Sequence, residues 1–129
     1  MARLILDSGA VLALASGNER ARRFVRRAIS ARAAVIVPAV VVAETTRGGP
    51  RDATVNRVIK TVEDVAPVTE DVAREAGRLL AGARKSNATM DALIVASAAR
   101  RESTIILTGD IDDITALAAN YPHVRVEGV

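Results

Sequence analysis

The sequence has no cysteine and no tryptophan, a single histidine, one tyrosine and one phenylalanine, and no long apolar run. Without cysteine, disulfides, thiolate zinc sites and cysteine nucleophiles are excluded, so any chemistry comes from other groups. A single histidine rules out acid-base cleavage by a histidine pair. That residue, His123 in Tyr121-Pro122-His123, reads as a solvated turn residue ahead of the last expected strand. With aromatics at 2%, base stacking cannot be a major means of holding a nucleic acid. No apolar stretch approaches the roughly 20 residues that span a bilayer. The start, Met1-Ala2-Arg3 before Leu4-Ile5-Leu6 and Asp7, is too short in apolar length and too early in charge for a signal peptide. A soluble, cytoplasmic protein with no membrane partner is the expectation.

What is present is a globular balance. Half of the residues are hydrophobic and 26% are charged, and 129 residues fit one domain covering positions 1–129. A net charge of +3 and a pI near 10.2 suit a polyanionic partner. Arginines crowd one segment (Arg20, Arg22, Arg23, Arg26, Arg27, Arg32), while acids recur singly elsewhere.

Short apolar runs alternate with helical patterns, which indicates an α/β fold. Arg3 to Leu6 reads as a buried strand, and Ala10 to Ala15 as a helix capped by Asp7 or Ser8. Glu19 to Ile29 has helical spacing with its arginines on the outer surface; Ala33 to Val37 is a strand, followed by a helix from Pro38 to Thr46 that Gly48-Gly49-Pro50 stops. Val55, Val58, Ile59 and Val62 mark one face of a further helix, and Asp64 to Val68 a short strand. Thr69 caps a long helix with Glu70 and Asp71 in its first turn and Arg84 and Lys85 at its end, the polarity the helix dipole favours. Thr89 to Ala99 is apolar nearly all round and reads as a buried helix; Thr104 to Leu107 is a strand, Asp112 to Ala119 a helix and Val124 to Val126 a last strand. Strands separated by helices imply a parallel sheet with ligands at its carboxyl edge.

That edge collects acids. Asp7 closes the first strand, Asp110 follows the fourth in Thr108-Gly109-Asp110, and Asp112 and Asp113 open the next helix. Glu44 and Asp91 lie within apolar helices, where a carboxylate is costly unless paired or bound to a cation. Each has an ordinary explanation: Asp7 as a helix cap, Asp91 as a partner of a helix N-terminus, Glu44 in solvent, Asp110 in a turn. Independent caps need not converge on one rim, whereas an oxygen-ligated Mg²⁺ or Mn²⁺ requires it. Such an ion can activate water and neutralise phosphate charge without a side-chain base, so metal-assisted phosphodiester hydrolysis is the chemistry that fits.

Leu4-Ile5-Leu6-Asp7-Ser8, Val42-Ala43-Glu44, Met90-Asp91-Ala92-Leu93-Ile94 and Thr108-Gly109-Asp110 resemble, in order and over nearly the whole chain, the acidic motifs of PIN-domain nucleases. In size the chain looks like the VapC toxins of type II toxin–antitoxin systems. The resemblance implies a three-layer α/β/α sandwich, Mg²⁺- or Mn²⁺-dependent endoribonuclease activity, a VapB-like antitoxin as partner and a homodimer. It places Asp7, Glu44, Asp91 and Asp110 in the catalytic metal site, with Asp113 at a further often acidic position and Asp112 beside it. The target RNA does not carry over.

Arg20, Arg23 and Arg27 share one helical face and form a candidate phosphate-contacting surface for RNA, with a plain solvated surface as the alternative. Other readings are a PIN-type nuclease of RNA maturation or of structured DNA, and a catalytically idle domain that binds RNA or a partner. An aspartyl-phosphate phosphatase is disfavoured because Asp7-Ser8-Gly9 lacks a second aspartate two residues on. A phospho-receiver would want paired acids before the first helix and a lysine after a late strand, and neither is found.

Overall fold

Leu4, Ile5 and Leu6 are all fully buried, because the strand they form, β1 (Arg3–Leu6), has a neighbour on each side and helices over each face. A strand covered on both faces shows a continuous apolar run in place of alternation. The computed structural model describes residues 1–62, 64–83 and 88–129. Around β1 lie β2 (Ala34–Pro38), β3 (Val65–Ala66), β4 (Thr104–Thr108) and β5 (Val124–Gly128), in the order β3-β2-β1-β4-β5. All pairings are parallel; Leu6 of β1 stands beside Leu107 of β4, and Thr108 beside Gly128 of β5. The carboxyl ends therefore share one edge, which Asp7 and Asp110 follow directly.

Helices α1 (Ser8–Ala15), α2 (Glu19–Ser30) and α4 (Ala53–Val62) form one packed group, with α1 touching both of the others. Helices α5 (Glu70–Ala83), α6 (Thr89–Ala96) and α7 (Ile111–Leu117) form the second, and α3 (Ala39–Thr45) touches α1 and α6. The result is an α/β sandwich with a parallel sheet between helical layers, as the alternation of patterns indicates. The core is aliphatic, built from residues such as Ile36, Val41, Ile94, Ile106 and Ile114.

Several element ends differ from expectation for local reasons. β2 runs on through Pro38, which pairs with Ala66 although it has no N–H to give. Helix α3 ends at Thr45; the chain turns extended at Thr46, and the buried carboxylate of Asp52 takes the backbone N–H groups of Arg47 and Gly48. β3 is reduced to two residues. Helix α6 stops at Ala96, three residues short of the expected Ala99, and is not buried all round: Met90 is 46% exposed and Asp91 half-buried, because its first turn sits at the rim of the sheet. Helix α7 starts at Ile111 and ends at Leu117. Thr69 caps α5 by accepting from the Val72 N–H, while Arg84 and Lys85 lie outside the described residues.

One contact fixes how closely α1 approaches the loop after β4. A Cβ on Gly9 would lie 2.8 Å from both Cα and N of Gly109. Backbone cannot yield as a flexible side chain does, so Gly9→Ala is expected to cost about 1–3 kcal/mol by forced displacement. Gly77, in the middle of α5, has nothing within 4 Å of its added Cβ, and Gly77→Ala should stabilise by roughly 0.4–1 kcal/mol. Urea unfolding of both variants checks the pair; equal, small effects would mean that the Gly9–Gly109 approach is not close.

Candidate metal centre

Asp7 occupies the step from β1 into α1. Its backbone is extended, as an N-cap requires, and its Oδ1 accepts the Ala10 N–H at 2.9 Å and the Gly109 N–H at 3.4 Å. Its Oδ2 accepts a short hydrogen bond from the Thr108 hydroxyl. The side chain is 5% exposed. Burial pushes this carboxyl above its ordinary range; the donors Thr108, Ala10 and Gly109 oppose that, and the nearby charge of Glu44 adds to it. The cap reading of Asp7 is thus correct as local chemistry, and the same bonds hold its carboxylate in one orientation.

Thr108 has a second task. Fully buried at the end of β4, its Oγ1 also accepts the Asp110 N–H at 2.8 Å, so one hydroxyl bridges two of the acidic segments. Glu44, half-buried on α3, accepts from the Ser8 hydroxyl at 2.5 Å. Its sequence neighbour Arg47 is not its ion-pair partner: that guanidinium donates to the carbonyl oxygens of Ala43, Glu44 and Thr46. The sequence offers Ser8 only as an alternative cap of α1, a place Asp7 takes, and gives Thr108 no role of its own. The available signal was a hydroxyl close to an acid, Ser8 next to Asp7 and Thr108 two positions before Asp110, since a buried hydroxyl needs a partner.

Asp110 caps α7, its Oδ1 facing the Asp113 N–H at 3.4 Å, and Asp91 lies in the first turn of α6. Asp91, Asp110 and Asp113 each bring one carboxylate oxygen to within 4.8 Å of the others. Burial raises the Asp91 carboxyl above its usual range, and the charges of Asp110, Asp7, Glu44 and Asp113 push it further. Asp91 thus feels the other four acids and Asp7 feels Glu44, with Asp91, Asp110 and Asp113 as the tightest group. Asp112 is exposed and stands outside that group.

Like-charged oxygens this close are relieved by a proton or by a cation. The donors are all carboxylates, hard oxygen ligands; Asp91 and Asp113 are half-buried and Asp110 is exposed, leaving room for water in the remaining coordination positions. The residues present fit a hard divalent ion.

The arginines divide. Arg20 donates from Nε to the Gly128 carbonyl at 2.6 Å and pairs with Glu127 at 3.3 Å, which draws it to the carboxyl end of β5. Arg23 and Arg27 are exposed, and Arg27 lies over the Phe24 ring at 6.0 Å. His123 lies in a turn, as expected, but is only half-exposed: its Nε2 lies 2.7 Å from the Ala98 carbonyl, and its ring stacks on Tyr121. The carbonyl only accepts, so Nε2 carries the proton.

Comparison with known proteins bears on the fold and the family. No curated protein sequence matches the chain. Among solved structures it is similar to a toxin–antitoxin complex from Klebsiella pneumoniae, with 18% identity, 95% of each chain covered and a TM-score of 0.67. It is also similar to VapBC2 from Rickettsia felis bound to a DNA fragment from their promoter, with 8% identity, 98% of each chain covered and a TM-score of 0.71. A third likeness is to VapBC-5 from Mycobacterium tuberculosis, a member of the VapBC family of toxin–antitoxin systems, with 23% identity over all of both chains and a TM-score of 0.61. At such identities the likeness is one of fold. The family described as PIN domain matches residues 4–120, the stretch that holds every acid of the rim, and the chain belongs to that family of nucleases.

Proposed function

We propose that the chain, as one nuclease domain over residues 1–129, is a Mg²⁺- or Mn²⁺-dependent endoribonuclease and the toxin of a VapBC-type pair. The observation that carries the reading is the meeting of Asp91, Asp110 and Asp113 within 4.8 Å at the carboxyl edge of the sheet, with Asp7 and Glu44 close by. Asp91, Asp110 and Asp113 would hold the ion, with Asp7 and Glu44 completing the acidic set. Bound there, such an ion supplies activation of water and neutralisation of phosphate charge. The chain's own residues do the positioning: Thr108 fixes Asp7 and the backbone of Asp110, and Ser8 fixes Glu44. Arg20 and Arg23, with Arg27 further along α2, would contact RNA phosphates. A VapB-like antitoxin is the expected partner, because solved structures of this fold include toxin–antitoxin complexes, and a homodimer is the expected assembly.

RNA cleavage should require Mg²⁺ or Mn²⁺, cease with chelator, and fall to background in Asp7→Ala, Asp91→Asn and Asp110→Asn. Thr108→Val keeps the shape of the side chain and removes the bridge; from the usual effect of groups that orient ligands, activity should drop about 10–100-fold. Equal cleavage by wild type and Asp7→Ala would assign the activity to a contaminant.

Metal-free stability supplies a second test. The Asp91 carboxyl is raised in the folded chain, so the fold binds that proton more tightly than the unfolded chain does. Stability contributed by this proton is complete below the ordinary carboxylate pKa of about 3.9 and is lost as pH rises through the folded value. Asp91→Asn should therefore equal or exceed wild type in metal-free melting temperature at neutral pH, with the advantage shrinking on acidification. Added Mn²⁺ should reverse the order, since a ligand at a hundredfold excess over Kd stabilises by about 2.7 kcal/mol. A clear loss of metal-free stability in Asp91→Asn, with the same response to Mn²⁺ as wild type, would sink the shared site.

Expression without its partner should arrest bacterial growth, and a small co-encoded protein that reaches the acidic rim with a basic side chain should relieve it. Harmless expression of protein shown to cut RNA in the same cells would count against the toxin reading.

A further inference from the structure

At the opposite edge of the sheet, a cleft of about 700 Å³ opens between α2 and the amino ends of β4 and β5. Phe24, Arg27, Thr104, His123 and Arg125 line it, and among the described residues no carboxylate does. Its volume lies in the range of small-ligand sites, roughly 300–1,000 Å³.

The charge around it is out of balance. Among the described residues Arg27 forms no ion pair; its guanidinium lies over the Phe24 ring. Arg125 pairs with Glu127 at 3.0 Å, but the same carboxylate also takes Arg20 at 3.3 Å, so one acid serves two guanidinium groups. Exposed arginines are ordinary on a basic protein. Here one from a helix and one from an edge strand line the same concave surface, where field lines are focused and an anion is concentrated. A guanidinium fork matches a phosphate in geometry as well as in charge. His123 is held beside them by its bond to Ala98 and its stacking on Tyr121, with Nε2 committed and Nδ1 left to the surroundings.

We propose that this cleft is a second anion site, which binds a phosphate group through Arg27 and Arg125 with His123 at its side. Strands of this length separate it from the acidic rim by roughly 15 Å, too far to hold the phosphate that the rim would act on. Helix α2 links the two edges: Arg20 sits by Gly128 at the carboxyl end, and Arg27, two turns on and about 10 Å along the axis, lies at the cleft. The proposal stands whether or not the acidic rim cleaves RNA.

The test is isothermal titration calorimetry of the whole chain in chelator, where the proposed nuclease is silent. The probes are inorganic phosphate, adenosine monophosphate and a short single-stranded oligoribonucleotide. Arg27→Ala and Arg125→Ala should each weaken binding about tenfold, the usual worth of one charge-assisted contact. Arg74→Ala, which removes the same charge from an exposed position of α5 paired with Glu70, should leave binding unchanged. If loss of the Glu127 pair disturbs β5, Arg125→Lys keeps that pair, loses the fork and should still bind severalfold more weakly. Binding of inorganic phosphate and the mononucleotide would identify a free phosphorylated ligand. Arginine-dependent binding of the oligonucleotide alone would assign the phosphate to an RNA strand. Binding of none of the probes, or equal weakening by Arg74→Ala and Arg27→Ala, would overturn the site.

Discussion

The hydrogen bond from the Thr108 hydroxyl to Asp7 joins the ends of the neighbouring strands β1 and β4. It satisfies a carboxylate that burial would otherwise penalise heavily. Because the same hydroxyl accepts the Asp110 N–H, the turn after β4 cannot shift without releasing Asp7. The close approach of Gly9 to Gly109 follows from this arrangement, since α1 begins at Asp7 and must clear the loop that carries Asp110. Helix starts and strand ends are thereby locked together at the place where the acids meet.

Around that lock the protein holds a set of like charges that does not stabilise the fold. Asp91 feels burial and the charges of Asp110, Asp7, Glu44 and Asp113, all tending to keep its proton on. The aliphatic core, with Leu4 to Leu6 and Ile106 to Leu107 fully buried, offsets the cost. A rim tolerated at a cost in stability is the pattern expected of a functional site. Asp52 makes the contrast: it too is a buried acid, yet backbone N–H groups of Arg47 and Gly48 satisfy it, and among the described residues it belongs to no acidic cluster of three or more.

Charge is sorted along the strands as well. The acids gather at the carboxyl edge, where strand ends and helix starts meet, and Asp7 and Asp110 sit at positions where helix N–H groups favour an anion. The arginines of α2 run past this rim toward the amino edge, where Arg27 and Arg125 line one cleft. A polyanion would meet attraction along α2 and repulsion at the bare rim, and a cation at the rim would remove the repulsion.

By itself the sequence determined the alternation of strands and helices, the parallel sheet, the cap at Asp7 and the acids that follow strand ends, because these depend on periodicity and on neighbours a few residues apart. The buried run Leu4-Ile5-Leu6 and the capping Thr69 are legible in that way. Element ends were not, since α6 stops at Ala96 and α3 at Thr45 through hydrogen bonds that propensity does not describe. Only the tertiary structure decided which acids share a group, that Thr108 serves Asp7 from 101 positions away, that Arg20 is drawn to Gly128, and that Arg27 and Arg125 line one cleft. The reason is the strand register: β1 beside β4 and β4 beside β5 set distant residues level with one another, and local sequence carries no record of that pairing.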